Sequence, residues 1–329
     1  MGHNIAPAGR TAIAAARSRP LVTIPKESHP VSPTVRGALW MTVAAVFFTV
    51  MAVAVRYLSG DIPPIEMVAA RAVVAITTVG PWLMRRGVAG LHTRRPVLLA
   101  VRAVFTAIAV FCWFYALGHM KLADAVTLHF TLPLFGVVLA VLILREKVGL
   151  HRWGATVVGF LGTLVVLRPG LAEVNLAALA VLVSAAFYAV ASIQSKILMR
   201  TENAGIIVFY MNAFIVVFIA APTVMQWVTP TPWQAGLLIA VGLCNTLAQL
   251  AIQKAFHAAD ASAVLPFDFL RLPITALAGF VLFAERPDIW TVAGAAIIFG
   301  AAYYIAWRER RVRRRETADS DARERERDA

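Results

Sequence analysis

The sequence predicts an all-α integral membrane protein: ten transmembrane helices arranged as two inverted five-helix repeats. Three observations carry this reading. First, 60% of the 329 residues are apolar and only 15% are charged, against roughly 45–50% and 25% in soluble proteins. Second, apolar segments of spanning length follow one another from Gly37 to Trp307, and ten spans of ~20 residues use roughly 200 of them. Third, the first half of the chain echoes in the second. The composition excludes a soluble enzyme, a disulfide-stapled secreted fold and a disordered chain. Cys112 and Cys244 stand alone inside apolar runs, so they read as helix packing and make neither a zinc nor a redox motif.

In chain order, residues 1–36 hold Arg10, Arg17, Arg19, Lys26 and Arg36 against the single acid Glu27, with no run long enough to span. They read as a flexible basic tail that helps fix topology; an organelle transit peptide is the rival reading. Spans are expected near 37–58, 63–84, 97–118, 122–144, 151–168, 176–199, 205–228, 233–256, 260–284 and 289–307. Turn residues punctuate them: Pro63-Pro64, the Arg85–Arg95 stretch, Arg145-Glu146-Lys147, Arg168-Pro169-Gly170 and Thr229-Pro230-Thr231-Pro232. Gly154, Gly159 and Gly162 suit close packing of the fifth span in lipid. Residues 308–329 form a charged tail with nine Arg and seven acids.

Lys and Arg fix the orientation. With the N-terminus inside, the inner connections and tails collect 24 of the 31 basic residues and the outer loops hold 3. The other four (Arg56, Arg71, Arg102 and Arg271) lie within spans. Positive charge gathers on the cytoplasmic side, so both tails are expected in the cytoplasm and the protein in the inner membrane. The same count accounts for the formal charge of +13 without a nucleic-acid partner.

The repeat runs at an offset of 140 residues: Ala45-Val46-Phe47-Phe48-Thr49-Val50 with Ala185-Ala186-Phe187-Tyr188-Ala189-Val190, Arg56 with Lys196, Pro133 with Pro273 and Gly154 with Gly294. Five spans per unit is odd, so the second copy enters from the opposite face. Residues 37–170 and 171–307 are the expected units. Inverted halves of this kind enclose a midplane site in secondary transporters, which disfavours a channel.

Each half closes on a related string. The first has Ala123-Asp124-Ala125, Leu132-Pro133-Leu134, Leu144-Arg145-Glu146 and Trp153-Gly154. The second has Ala259-Asp260-Ala261, Asp268–Pro273, Leu282-Phe283-Ala284-Glu285, Asp288, Trp290, Gly294 and Gly300. These strings resemble bacterial permeases of the drug/metabolite transporter superfamily, EamA type. The resemblance covers 37–307 and implies alternating access around a cavity lined by the first, third, fourth, sixth, eighth and ninth helices. It implies a small-molecule substrate with a proton or counter-solute as coupling partner, no cofactor, and a monomer or homodimer. The Asp268–Pro273 stretch most resembles permeases for S-adenosylmethionine or riboflavin uptake; amino-acid or drug export is the alternative within the family.

An ionisable side chain in hydrocarbon costs ~2.5–3.5 kcal/mol on insertion scales and so wants a partner or a wet cavity. Asp268 and Arg271, at i and i+3, are expected on one face of the ninth helix, either holding substrate or neutralising each other. Pro273 and its counterpart Pro133 are expected to open the backbone. His129, four residues before Pro133, reads as a cavity residue or as an interhelical hydrogen bonder. Asn245, Gln249 and Gln253 recur every fourth residue, an amide stripe that lines the cavity or glues helices. Arg102 is the basic residue assigned to the cavity, whereas Arg56 and Lys196 snorkel and Arg71 is structural. Glu146 and Glu285 are expected to cap or pair near the interface. Tyr188 and Trp113 are candidates for stacking on a ring-bearing solute. A lipid-modifying membrane enzyme is the rival class, and it needs metal ligands or a nucleophile with a base. The chain offers one in-span His and no HxxxH or DxxD cluster. Counting Arg71 and Arg271 against Asp268, with His129 able to add a proton, the site is expected to be neutral to mildly positive and to take a zwitterionic or weakly anionic solute.

Overall fold

A computed structural model describes residues 33–84, 92–144, 149–168, 175–199, 201–202, 204–259, 264 and 267–328. The regular elements among them are all helices: α1 (Pro33–Leu58), α2 (Pro64–Met84), α3 (Pro96–His119), α4 (Leu122–His129), α5 (Leu132–Leu144) and α6 (Leu150–Leu167). After these come α7 (Leu176–Leu198), α8 (Ala204–Met225), α9 (Pro232–Ala258), α10 (Arg271–Phe283) and α11 (Ile289–Asp328). Proline opens α1, α2, α3 and α9, where its missing N–H costs nothing. Thr231 and Gln234 close a capping box on α9, and Asn175 caps α7 by accepting from the Ala177 N–H at 3.0 Å.

Eight stretches are long and apolar enough to cross a membrane, with α4 and α5 counted together over Leu122–Leu142. Trp153–Leu167 and Arg271–Phe283 are apolar but shorter, so the expected ten even spans become eight with two short partners. Breaks interrupt the fourth and ninth segments, and in the ninth the break leaves the short helix Arg271–Phe283. Pro133 has no N–H to offer the His129 carbonyl, and its ring crowds that carbonyl. The ladder tightens just before it: Thr131 N–H reaches Leu128 O at 3.1 Å, and Thr131 Oγ1 donates to the same carbonyl at 2.7 Å. Before Pro273 the Leu272 N–H likewise bonds Phe269 O at 3.0 Å. Each break thus precedes its proline, which sits in the first turn of the next helix. A further difference lies at the C-terminus, where the expected tail continues α11 as helix to Asp328.

α1 packs along α9, α3 along α7, α2 along α8 and α6 along α11. The α6–α11 crossing is tight. A Cβ on Gly294 would fall 2.3 Å from Val166 Cγ2 and 2.8 Å from Gly162 O. Of the three glycines singled out in α6, Gly159 and Gly162 meet neighbours while Gly154 faces open space.

Polar contacts bind the turns at the end expected outside. Arg56 does not snorkel: it donates to the Leu117, Gly118 and Met120 carbonyls at 3.1, 2.7 and 3.1 Å, and pairs with Glu285 at 3.1 Å. Those three carbonyls are orphans of the α3 terminus. Glu285 also accepts the Leu122 N–H at 2.8 Å, capping α4. Arg168 pairs with Asp288, Lys121 donates to Arg286 O at 3.1 Å, and Thr291 donates to Asp124 at 2.7 Å. At the other end, Glu202 accepts from Thr93 Oγ1 at 3.0 Å and Arg94 N–H at 2.8 Å. Glu146, Asp260 and the Lys196 side chain fall outside the described residues.

Candidate functional site

The two breaks face one another. Phe130 and Phe269, one at each, stack with ring centroids 4.5 Å apart. Beside this stack α10 begins at Arg271, whose guanidinium carbon lies 4.7 Å from the Phe48 ring centroid and 5.6 Å from that of Trp113. Trp113 lies 4.5 Å from the His129 ring, which meets Tyr188 edge-on at 5.6 Å. Side chains from α1, α3, α4, α7 and α10 therefore converge on one buried cluster. His129 and Trp113 each lie about 10 Å along their helices from the latched end, and Arg271 and Tyr188 about 18 Å.

The chemistry follows from what is paired and what is not. Arg271 is 9% exposed, and its Nε has no hydrogen-bond partner among the described residues. The same is true of His129 Nε2. The aromatic faces stabilise the desolvated guanidinium by about 2 kcal/mol yet leave its edge donors free. Asp268 interacts electrostatically with Arg271 but makes no direct ion pair with it among the described residues. The backbone break between them explains why: they do not share the continuous helix face expected from their spacing. A planar ring with an acceptor group suits such a site, the ring against the aromatics and the acceptor on Arg271. Among the described residues no group of three His, Cys, Asp or Glu could hold a metal.

The EamA-like transporter family model matches this chain twice, over residues 35–168 and 175–307. The chain belongs to the EamA-like transporter family. An S-adenosylmethionine uptake transporter of Rickettsia prowazekii is 30% identical over 84% of this chain and 94% of its own length. A riboflavin transporter of Vibrio cholerae is 32% identical over 87% and 97%. The pseudopaline exporter CntI of Pseudomonas aeruginosa is 31% identical over 82% and 95%. A protein of known crystal structure shares the fold with a TM-score of 0.58 at 18% identity, over 84% of this chain and 98% of that one.

Within this EamA-like chain the remaining candidates lie apart from the cluster. Arg102 is half-buried with Nε and Nη1 unpartnered among the described residues, but eleven residues, about 16 Å, separate it from Trp113 along α3. Asn245 is half-buried, while Gln249 and Gln253 are exposed. Each i+4 step advances about 40° around a helix, so the stripe drifts from the flank of the packed face toward its far side.

Sequence reasoning missed Phe48 as a cluster residue and took Arg71 as structural. Arg71, on α2, is 4% exposed, with Nε and Nη2 unpartnered among the described residues. It acts electrostatically on Tyr188. Glu66, the acid nearest in sequence on α2, accepts the Val228 N–H at 3.2 Å and makes no ion pair with Arg71. The usable signal was an in-span arginine with no acid three or four residues away.

Proposed function

We propose that this protein is a secondary transporter that moves a small ring-bearing metabolite across the cytoplasmic membrane by alternating access. Its two halves are inverted five-helix repeats, and both termini lie inside. The observation that carries the reading is the buried cluster of Arg271, His129, Trp113, Tyr188 and Phe48 at the meeting of two helix breaks. Broken helices that meet at mid-depth are how transporters bring unsatisfied polar groups to a solute within the bilayer. The contact pattern supports the repeat: α1 with α9 answers α7 with α3, α1 with α10 answers α7 with α5, and α2 with α9 answers α8 with α3. Swapping the halves maps each pairing onto another.

Arg271 takes the solute's acceptor group, and the aromatic rings take its planar part. Because Arg271 is not locked onto Asp268, the solute binds without first breaking an ion pair. Asn245, half-buried at the middle of α9, is the member of the amide stripe best placed to join them. The contacts among Arg56, Glu285 and the α3 and α4 termini close the outer end, and they must part for solute to enter from that side. The names of the relatives, which include S-adenosylmethionine, riboflavin and pseudopaline carriers, support a ring-bearing or zwitterionic metabolite as cargo.

Proteoliposomes loaded or bathed with radiolabelled S-adenosylmethionine or riboflavin test cargo and direction together. Time-dependent accumulation of one of them is expected. R271Q should lower it by about 10- to 100-fold, the worth of a charge-assisted hydrogen bond, and Asp268→Asn by less. Undiminished transport by R271Q would remove the cluster from the pathway.

A further inference from the structure

Two helix faces that meet in the cluster continue inward from it. Phe105 and Phe187 lie with ring centroids 5.4 Å apart, and Ser184 Oγ donates to Ala109 O at 2.8 Å. These contacts set α3 and α7 antiparallel and place Arg102 level with Val190 and Ala191. Eleven residues turn a helix through about three turns and 20°. Arg102 therefore stands on the Trp113 face of α3, with Thr106 on the same face between them. On α7, Ser192 is one turn inward of Tyr188, donates to the Tyr188 carbonyl at 2.8 Å, and is exposed. The Trp113 and Tyr188 faces thus lead to Arg102 and Ser192 at one level, nearer the inner end.

The charge of Arg102 is uncompensated there. Its Nε and Nη1 are buried without a hydrogen-bond partner among the described residues, so the group turns into the protein instead of snorkelling to the interface. Arg102 makes no ion pair among the described residues, and neither α3 nor α7 contains an Asp or Glu. Glu202, an acid at the inner end, is taken up by Thr93 Oγ1 and the Arg94 N–H. Glu66 stands at the opposite end, in the first turn of α2. A guanidinium within a span wants a partner or water, and the exposed Ser192 at the same level shows that this face is open. Resting on the permease reading above, we infer that Arg102 marks a second station on the solute path, inward of the cluster, which selects a carboxylate or phosphate on the passing solute. The planar fork of arginine matches either group through its N–H donors. The choice of charge is then made at the inner mouth, about 16 Å along α3 from Trp113.

A cysteine at Ser192 reads the station without any solute. The full-length purified protein carries Ser192→Cys together with Cys112→Ala and Cys244→Ala. It is labelled with an anionic methanethiosulfonate (the ethylsulfonate) and a cationic one (the ethyltrimethylammonium), each rate being divided by that of free cysteine in solution. The anionic reagent should react about tenfold or more faster, the effect of one unpaired charge at close range in a half-aqueous setting. R102Q should bring that ratio to about threefold or less, whereas R102K, which keeps the charge, should hold it. Lys196 is the same in all three proteins, so the difference belongs to Arg102. A ratio near one with Arg102 in place, or a ratio that R102Q leaves unchanged, would overturn the station and spare the permease reading. So would a cysteine at 192 that neither reagent reaches. Should R102Q fail to fold, the ratio with Arg102 in place decides alone, and added salt should lower it. The permease reading fails separately, on absence of uptake of both radiolabelled solutes while the ratio stands.

Discussion

Asp288 and Arg168 illustrate how one pair ties a turn to its neighbour. Partial desolvation pushes the Asp288 carboxyl up. The hydrogen bond from Arg168 and the Trp290 and Ile289 N–H groups outweigh it and hold the group below the usual carboxylate range. A depressed carboxylate stabilises the fold at neutral pH, and that contribution fades as pH falls through the folded value. Melting of the wild type should therefore lose ground to Asp288→Asn below about pH 4, and the two curves should run parallel from pH 6 to 8. Equal slopes in acid would mean the pair is too solvated to matter. At this scale Asp268, His129 and Arg271 were legible because polar atoms in apolar runs are conspicuous. Phe48, Phe130 and Phe269 were not, since an aromatic residue in a span looks the same whether it packs lipid, a helix or a guanidinium. Arg71 was conspicuous and read as structural; its burial with Nε and Nη2 unpartnered among the described residues was not legible in the sequence.

The helices themselves were largely legible from apolar run length and proline punctuation. What the pattern could not convey was continuity. A 23-residue apolar run at 122–144 reads as one span, yet it holds a break that the missing Pro133 N–H creates two to four residues upstream. Close crossings were half legible: Gly162 and Gly294 touch across α6 and α11, whereas Gly154 touches nothing. Gly294→Val would drive its new atoms into Val166 and the Gly162 carbonyl. Overpacking of this kind costs about 1–3 kcal/mol, so the detergent-solubilised variant should melt lower, while Gly154→Val should melt as the wild type does. The reverse order would remove the crossing from the list of stabilising contacts.

For the whole molecule, charge asymmetry gave the sequence a predicted orientation, and at the end expected outside Arg56 with Glu285, Arg168 with Asp288 and Lys121 with the Arg286 carbonyl tie neighbouring turns together. Opening that end requires Glu285 to release Arg56 and the α4 terminus together. Glu285→Gln keeps the shape and removes the ion pair, so outward opening should become easier. A thiol reagent that cannot cross membranes should then label a cysteine placed at Phe48 several-fold faster from outside than in the parent background. Unchanged labelling would show that the polar contacts follow closure and do not hold it. Reporter fusions at the C-terminus should read cytoplasmic; a periplasmic reading would reverse both the charge argument and the assignment of the latched end.

α11 has one more consequence. Its 40 residues make a rod of about 60 Å at 1.5 Å per residue, twice the ~30 Å hydrocarbon thickness. A loose coil of the last twenty residues would wander over an r.m.s. reach of about 25 Å in any direction. The helix reaches about 30 Å and points one way. The tail thus extends the last span in a single direction, a rod where the composition alone suggested only a charged tail.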